Sequence, residues 1–164
     1  QHAVHFAAAM PHLTWQCSDR DENLPGIRMW LDEAALTNTP APLSFDVNGP
    51  WPERRYDAVF SANTLHIMGW PEVERLFAGL PAILAPDAKL AIYGPFNVSG
   101  RHTSEGNASF DASLKAKAPH QGLRDVEAVN ALARRAGLAL VEDRAMPANN
   151  RCLVWRRPAT AAAG

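Results

Sequence analysis

Leu138-Ala139-Leu140-Val141-Glu142-Asp143 and Cys152-Leu153-Val154-Trp155 read as two strands, separated only by Arg144-Ala145-Met146-Pro147-Ala148-Asn149-Asn150-Arg151. A parallel crossover needs about a dozen residues or more, so this short link makes the pair antiparallel. Upstream, residues 125–136 carry Val126, Val129 and Leu132 at helical spacing, with Gly137 placed as a left-handed cap. An amphipathic segment surrounds Phe110 and Leu114, after a polar stretch over 97–106. Residues 89–93 form a buried-type strand closed by Gly94-Pro95. Before it, Pro71 stands at the first turn of a helix with Val73, Leu76, Phe77 and Leu80 on one face, and Pro81 is expected to disturb its last turns. The clearest strand is 57–62, Asp-Ala-Val-Phe-Ser-Ala, running into Asn63-Thr64-Leu65-His66-Ile67-Met68. Earlier still come a short helix over 2–10, a strand over 13–17, a helix holding Leu24, Ile27 and Leu31, and a strand over 43–47. Strands and helices alternate, which predicts an α/β fold with a doubly wound, mostly parallel sheet and a C-terminal antiparallel strand pair.

The sequence has 164 residues, with 16 Lys and Arg against 17 Asp and Glu. That length suits one domain, read here as 1–157, followed by an Ala-rich tail over 158–164. A formal charge of −1 supplies no field for a polyanion, so nucleic acid is not an expected partner. No apolar run approaches the roughly 18 residues of a membrane span, and the expectation is a cytoplasmic protein with no membrane association. Cys17 and Cys152 form no CxxC unit and are read as packing thiols. His2 and His5 lack a nearby acid or thiol to complete a ligand set, so no metal centre is expected. There is no G-x-S-x-G elbow either.

Doubly wound sheets bind ligands beyond the carboxyl ends of their strands. Ser18-Asp19, Asp46, Ser61-Ala62-Asn63 and Tyr93-Gly94-Pro95 fall there. An acid at such a strand end can accept from two ribose hydroxyls, and Asp19 fits that role or equally that of a turn cap. Asp46 reads as a second acid or as the start of a turn.

Asn63 to Met68, Tyr93-Gly94-Pro95-Phe96, Thr103-Ser104-Glu105-Gly106-Asn107 with Phe110-Asp111, and Met146-Pro147-Ala148-Asn149-Asn150 together resemble domain of unknown function 938. This is the methyltransferase-like group that includes methyltransferase-like protein 26, within the class I S-adenosylmethionine-dependent methyltransferases. The resemblance runs from Gln1 to about Arg157. It implies a Rossmann-like methyltransferase sheet and S-adenosylmethionine as cofactor. Asp19 then matches the ribose-binding acid, and Asp46 with Phe45 or Val47 the adenine side. Ala62 and Asn63 match the strand end lining the methionine side.

In the family a first strand and a glycine-rich loop run directly into Gln-His-Ala, whereas this sequence begins at Gln1-His2-Ala3. The expectation is a longer natural N-terminus, or another chain supplying a strand by self-association or strand exchange. The missing strand would be central, and each backbone group left buried without a partner costs about 1–3 kcal/mol. That loop also matters for cofactor affinity, because glycine lets the backbone approach closely and exposes N–H groups at a helix start.

The function implied by the resemblance is methyl transfer to a small polar molecule. For a nitrogen or oxygen nucleophile, His66 is the first candidate proton acceptor and Tyr93 the second. Asn107, Asn149 and Asn150 are candidates to orient the substrate through amide donors and acceptors. Two rivals stand beside this reading: a catalytically inactive methyltransferase fold that serves binding, and an NAD-dependent oxidoreductase, which Asp19 alone does not exclude.

Overall fold

The structure is a computed structural model, and it describes residues 1–159. The end of the Ala-rich tail, 160–164, lies outside the described residues. The chain packs as two compact units, Gln1–Trp51 and a second opening at Pro52.

In the first unit, α1 (His2–Ala9) ends ahead of Pro11, and α2 (Leu24–Ala34) carries Pro25 in its first turn. Proline is tolerated there because that N–H has no helical partner. Two short parallel strands follow the register Ser18↔Leu43 and Asp19↔Ser44: β1 (Ser18–Asp19) and β2 (Leu43–Ser44). Both are shorter than the expected 13–17 and 43–47, and β1 starts later. The cause is chemical. Pro40 and Pro42 in the facing segment have no N–H to give a ladder, and side chains take over. Asn38 Nδ2 donates to the carbonyls of Ala7 and Leu13, while Gln16 Nε2 donates to Ala41.

In the second unit, β3 (Tyr56–Ala62) leads through the Asn63–Gly69 turn into α3 (Trp70–Ile83), and β4 (Leu84–Asn97) runs parallel to β3. Helix α4 (Glu105–Lys117) precedes the short β5 (Arg124–Asp125) and α5 (Val126–Arg135). The end of the chain is the hairpin β6 (Ala139–Met146) and β7 (Asn150–Arg156). The sheet order is β3-β4-β7-β6, with β5 added at the far end of β4. Strand β7 is antiparallel to both of its neighbours, so the mixed α/β sheet with its terminal antiparallel pair is as expected.

Three details differ from the sequence reading. Pro81 does not stop α3, which continues to Ile83. Arg157 Nη1 donates to the Pro81 carbonyl at 2.8 Å, and Arg55 Nη1 donates to that of Leu84 at 3.0 Å, so cationic groups satisfy the last carbonyls. Gly94-Pro95 does not close β4. Its pairing with β3 ends at Tyr93, and Pro95 pairs only with Asn150 of β7, so no strand on the β3 side needs the missing N–H. The hairpin turn is only Pro147–Asn149, because the strands extend through Met146 and from Asn150.

The second unit closes around Trp155, Phe77, Leu80, Leu153 and Val129, all at 1% exposure or less. The Trp155 ring meets Phe77 edge-on at 6.0 Å, and its indole N–H donates to Asn130 Oδ1 at 3.0 Å. Gly137, at φ 81°, ends α5 in a Schellman motif, with Leu138 N–H donating to Ala133 and Gly137 N–H to Arg134.

Candidate functional site

In the first unit, Asp19 is the last residue of β1 and Asp46 lies just past β2. Asp19 Oδ1 accepts from the Arg20 N–H at 2.7 Å and from Asn23 Nδ2 at 2.9 Å. Asp46 Oδ1 accepts from the Asn48 N–H at 2.9 Å, and its carbonyl accepts from Gly49. Asp46 therefore begins a turn, whereas the turn after Asp19 starts from Arg20 without a side-chain cap, and Asp19 is tied to it through the Arg20 N–H and Asn23. Arg20 lies between Glu22, at 3.1 Å, and Asp46 Oδ2, at 3.6 Å. Val47 offers its carbonyl to the Trp51 indole at 3.4 Å, and Trp51 packs edge-on against Phe45. Two hydrogen-bonded acids thus stand at neighbouring strand ends.

The second unit has a recess of about 470 Å³ lined by Asn63, Asn107, Asn149 and Asn150, together with Pro95, Ser104, Gly106, Phe110 and Ala148. It lies beyond the carboxyl end of β3, where Asn63 N–H continues the pairing by donating to the Tyr93 carbonyl at 2.8 Å. Four asparagines chosen from three distant segments thus share one cavity. Ser104 caps α4 by accepting the Asn107 N–H at 3.0 Å. Asn107 Nδ2 donates to Thr103 Oγ1 at 3.1 Å and to the Asn149 carbonyl at 3.3 Å, tying α4 to the hairpin turn. Asn150 Nδ2 closes that turn on the Pro147 carbonyl at 3.1 Å. A Cβ at Gly94 would sit 3.5 Å from Asn63 Oδ1, in ordinary van der Waals contact.

His66 is buried and does not line the recess, but Phe110 does, and the two rings meet edge to face at 5.2 Å. Burial first, and then the charge of Arg124, hold the imidazole below its ordinary pKa, so it is neutral at neutral pH. The turn that carries it is clamped by residues 120–124. Gly122 N–H donates to the His66 carbonyl at 2.9 Å. Arg124 Nη2 donates to the carbonyls of Met68, at 2.5 Å, and His120, at 2.9 Å, with its guanidinium over the Trp70 ring. Buried Asp111 fixes the clamp, its Oδ1 accepting the Leu123 N–H at 2.8 Å. Its Oδ2 accepts from Lys115 Nζ at 2.7 Å and lies 3.0 Å from His102 Nε2. Burial alone would raise this carboxyl, but the bonds from Lys115, Leu123 and His102 outweigh it and lower its pKa.

Tyr93 is half-buried in β4, opposite Ala62 and Cys152, and is absent from the recess lining, as is Ala62. Burial raises the pKa of the Cys17 thiol, and burial aided by Glu142 raises that of Cys152. Among the described residues, no group of three or more His, Cys, Asp and Glu comes together to hold a metal, and no helix is long and apolar enough to cross a membrane. Sequence reasoning missed Phe110 as a wall of the recess. Its place three residues after Asn107 on one helix was the available signal. The Arg124 clamp had no local signal at all.

An O-methyltransferase family protein from Burkholderia thailandensis superposes with a TM-score of 0.84 at 18% identity, covering 96% of this chain and 48% of that one. An O-methyltransferase family 2 protein from Planctomyces limnophilus, in complex with apigenin, gives 0.82 at 17%, covering 94% and 45%. The S-adenosylmethionine-dependent methyltransferase SibL, in its apo form, gives 0.81 at 22%, covering 95% and 47%. The chain spans about half the length of these structures, and at such identities the likeness establishes a methyltransferase-like fold. The family model described as protein of unknown function (DUF938) matches residues 1–157, and the chain belongs to that family.

Proposed function

We propose that the protein is an S-adenosylmethionine-dependent methyltransferase of the methyltransferase-like protein 26 group, acting on a small polar molecule held in the asparagine recess. The observation that carries this reading is the convergence of Asn63, Asn107, Asn149 and Asn150 on one cavity beyond the carboxyl end of β3, where open α/β sheets bind their ligands. The antiparallel β7 between β4 and β6 supports methyl transfer over the nicotinamide rival.

S-adenosylmethionine supplies an electrophilic methyl group on a sulfonium. This chain's residues bind and orient. Asp19 would hold the ribose hydroxyls, Asp46 and Val47 the adenine side, and the strand end at Ala62 and Asn63 the methionine side. Asn107, Asn149 and Asn150 align the acceptor atom, since methyl transfer depends mainly on in-line placement and exclusion of water. His66, kept neutral by burial and Arg124, is the first candidate to take the proton of a nitrogen or oxygen nucleophile. Tyr93 is the second candidate. Calorimetric titration with S-adenosylhomocysteine tests the reading, and wild-type binding weakened in Asp19→Ala supports it.

One observation favours a second reading, a methyltransferase fold that binds without turnover: the His66 ring lies behind Phe110 and not in the recess wall. Cofactor binding without methyl transfer to any small acceptor would select it.

A further inference from the structure

We propose that the recess takes a neutral, flat ring whose edge presents a hydrogen-bond donor beside an acceptor, of the lactam, cyclic imide or ring-carboxamide type. Phe110 supports its face, and the side-chain amides of Asn63 and Asn149 read its edge. This rests on the reading of the recess as a substrate site and narrows it to a chemical class.

Charge comes first. None of the residues lining the recess is ionised at neutral pH. A carboxylate or phosphate would enter without a cation to meet it, and an ammonium without an acid. The start of α4 does not reverse this, because Ser104 already takes the Asn107 N–H and Glu105 places a negative charge in the same turn.

The polar groups then separate into two kinds. Asn107 and Asn150 spend their amide N–H groups on protein oxygens. Asn63 and Asn149 are exposed, and neither side-chain amide has a hydrogen-bond partner among the described residues. Each therefore offers a donor and an acceptor side by side, the complement of a lactam edge. An apolar ring would strip water from both amides without replacing it.

The backbone does not by itself explain the choice of asparagine. Asn63 and Asn149 have φ of 55° and 56°, in the left-handed region that asparagine tolerates. Ala35, Asp87, Ser99 and Ala148 occupy the same region in this chain, so the conformation admits other side chains and the amide is the distinguishing property. Phe110 supplies the flat partner. It lines the recess and is 40% exposed, although it is a large aromatic residue, and its free surface suits ring stacking.

The test is a titration of the isotopically labelled full chain, following the side-chain amide resonances of Asn63 and Asn149. 2-Pyridone serves as the neutral lactam and benzoate as an anion of similar size. 2-Pyridone is expected to move both amide pairs and to bind about tenfold or more tighter than benzoate. Asn149→Gly, which keeps the left-handed backbone without the amide, is expected to lose that preference. Benzoate binding as tightly, 2-pyridone leaving both amides unmoved, or Asn149→Gly retaining the preference would each overturn the proposal. S-Adenosylhomocysteine titrated into the same sample separates the two readings. If it binds while 2-pyridone does not, the ligand class is wrong and the cofactor-binding part of the reading stands. If 2-pyridone binds as expected and S-adenosylhomocysteine does not, the recess chemistry stands and methyl transfer fails.

Discussion

The amide N–H of Gly122 donates to the carbonyl of His66 at 2.9 Å, so the turn that follows β3 is held by a segment more than fifty residues further along. Gly122 reaches that position because it has no side chain. A Cβ there would stand 3.0 Å from Asp111 Oδ1 and 3.0 Å from Lys115 Cε. Gly122→Ala is therefore expected to destabilise the fold by about 1–3 kcal/mol, measured by urea denaturation, and to shift the His66 resonances.

Asp111 is the anchor of that clamp. Replacing it with Ala removes a buried acceptor that serves Leu123 and Lys115 and lies beside His102, with an expected loss of about 3 kcal/mol. Its pKa is lowered on folding, so its contribution is complete above the ordinary carboxylate range and is lost as pH falls through the depressed folded value. The wild type should accordingly lose stability on acidification more steeply than Asp111→Asn, as followed by thermal melts across acidic pH.

His66 shows the same pH dependence, although here the neutral form is the favoured one. Burial first, and Arg124 second, lower its pKa, so neutral His66 favours the folded state. This stability is present above the ordinary imidazole value and is lost as pH falls through the folded one. Removing the nearby charge with Arg124→Gln is expected to raise the His66 midpoint, and Arg124→Lys to restore much of the depression. Imidazole proton resonances followed against pH read both.

The hairpin β6–β7 was legible because its apolar runs stand too close in sequence for a crossover. Its stability rests on Trp155, fully buried against Phe77 and bonded to Asn130. Trp155→Ala is expected to cost about 3–5 kcal/mol, and Trp155→Phe less, in equilibrium unfolding.

What escaped the sequence did so for physical reasons. Gly94-Pro95 carries the composition of a turn, yet Pro95 lies where β4 has already left β3, and only tertiary context shows that its missing N–H costs nothing. Residues 13–17 have strand composition, but the prolines facing them cannot supply a ladder. The asparagines of the recess were visible as unusual segments. Phe110 was read as the apolar stripe of a helix, although its ring stays 40% exposed. The 120–124 clamp depends on contacts between segments far apart in sequence, which no local pattern encodes.

The most direct measurement of the central claim is calorimetric titration of the wild-type chain and Asp19→Ala with S-adenosylhomocysteine. The Asp19 carboxylate is fixed by Arg20 and Asn23 at the end of β1, and it is the group proposed to take the ribose hydroxyls. The account predicts saturable binding to the wild type, weakened about tenfold or more in Asp19→Ala. No heat of binding to the wild type, or equal affinity in the two proteins, would contradict it.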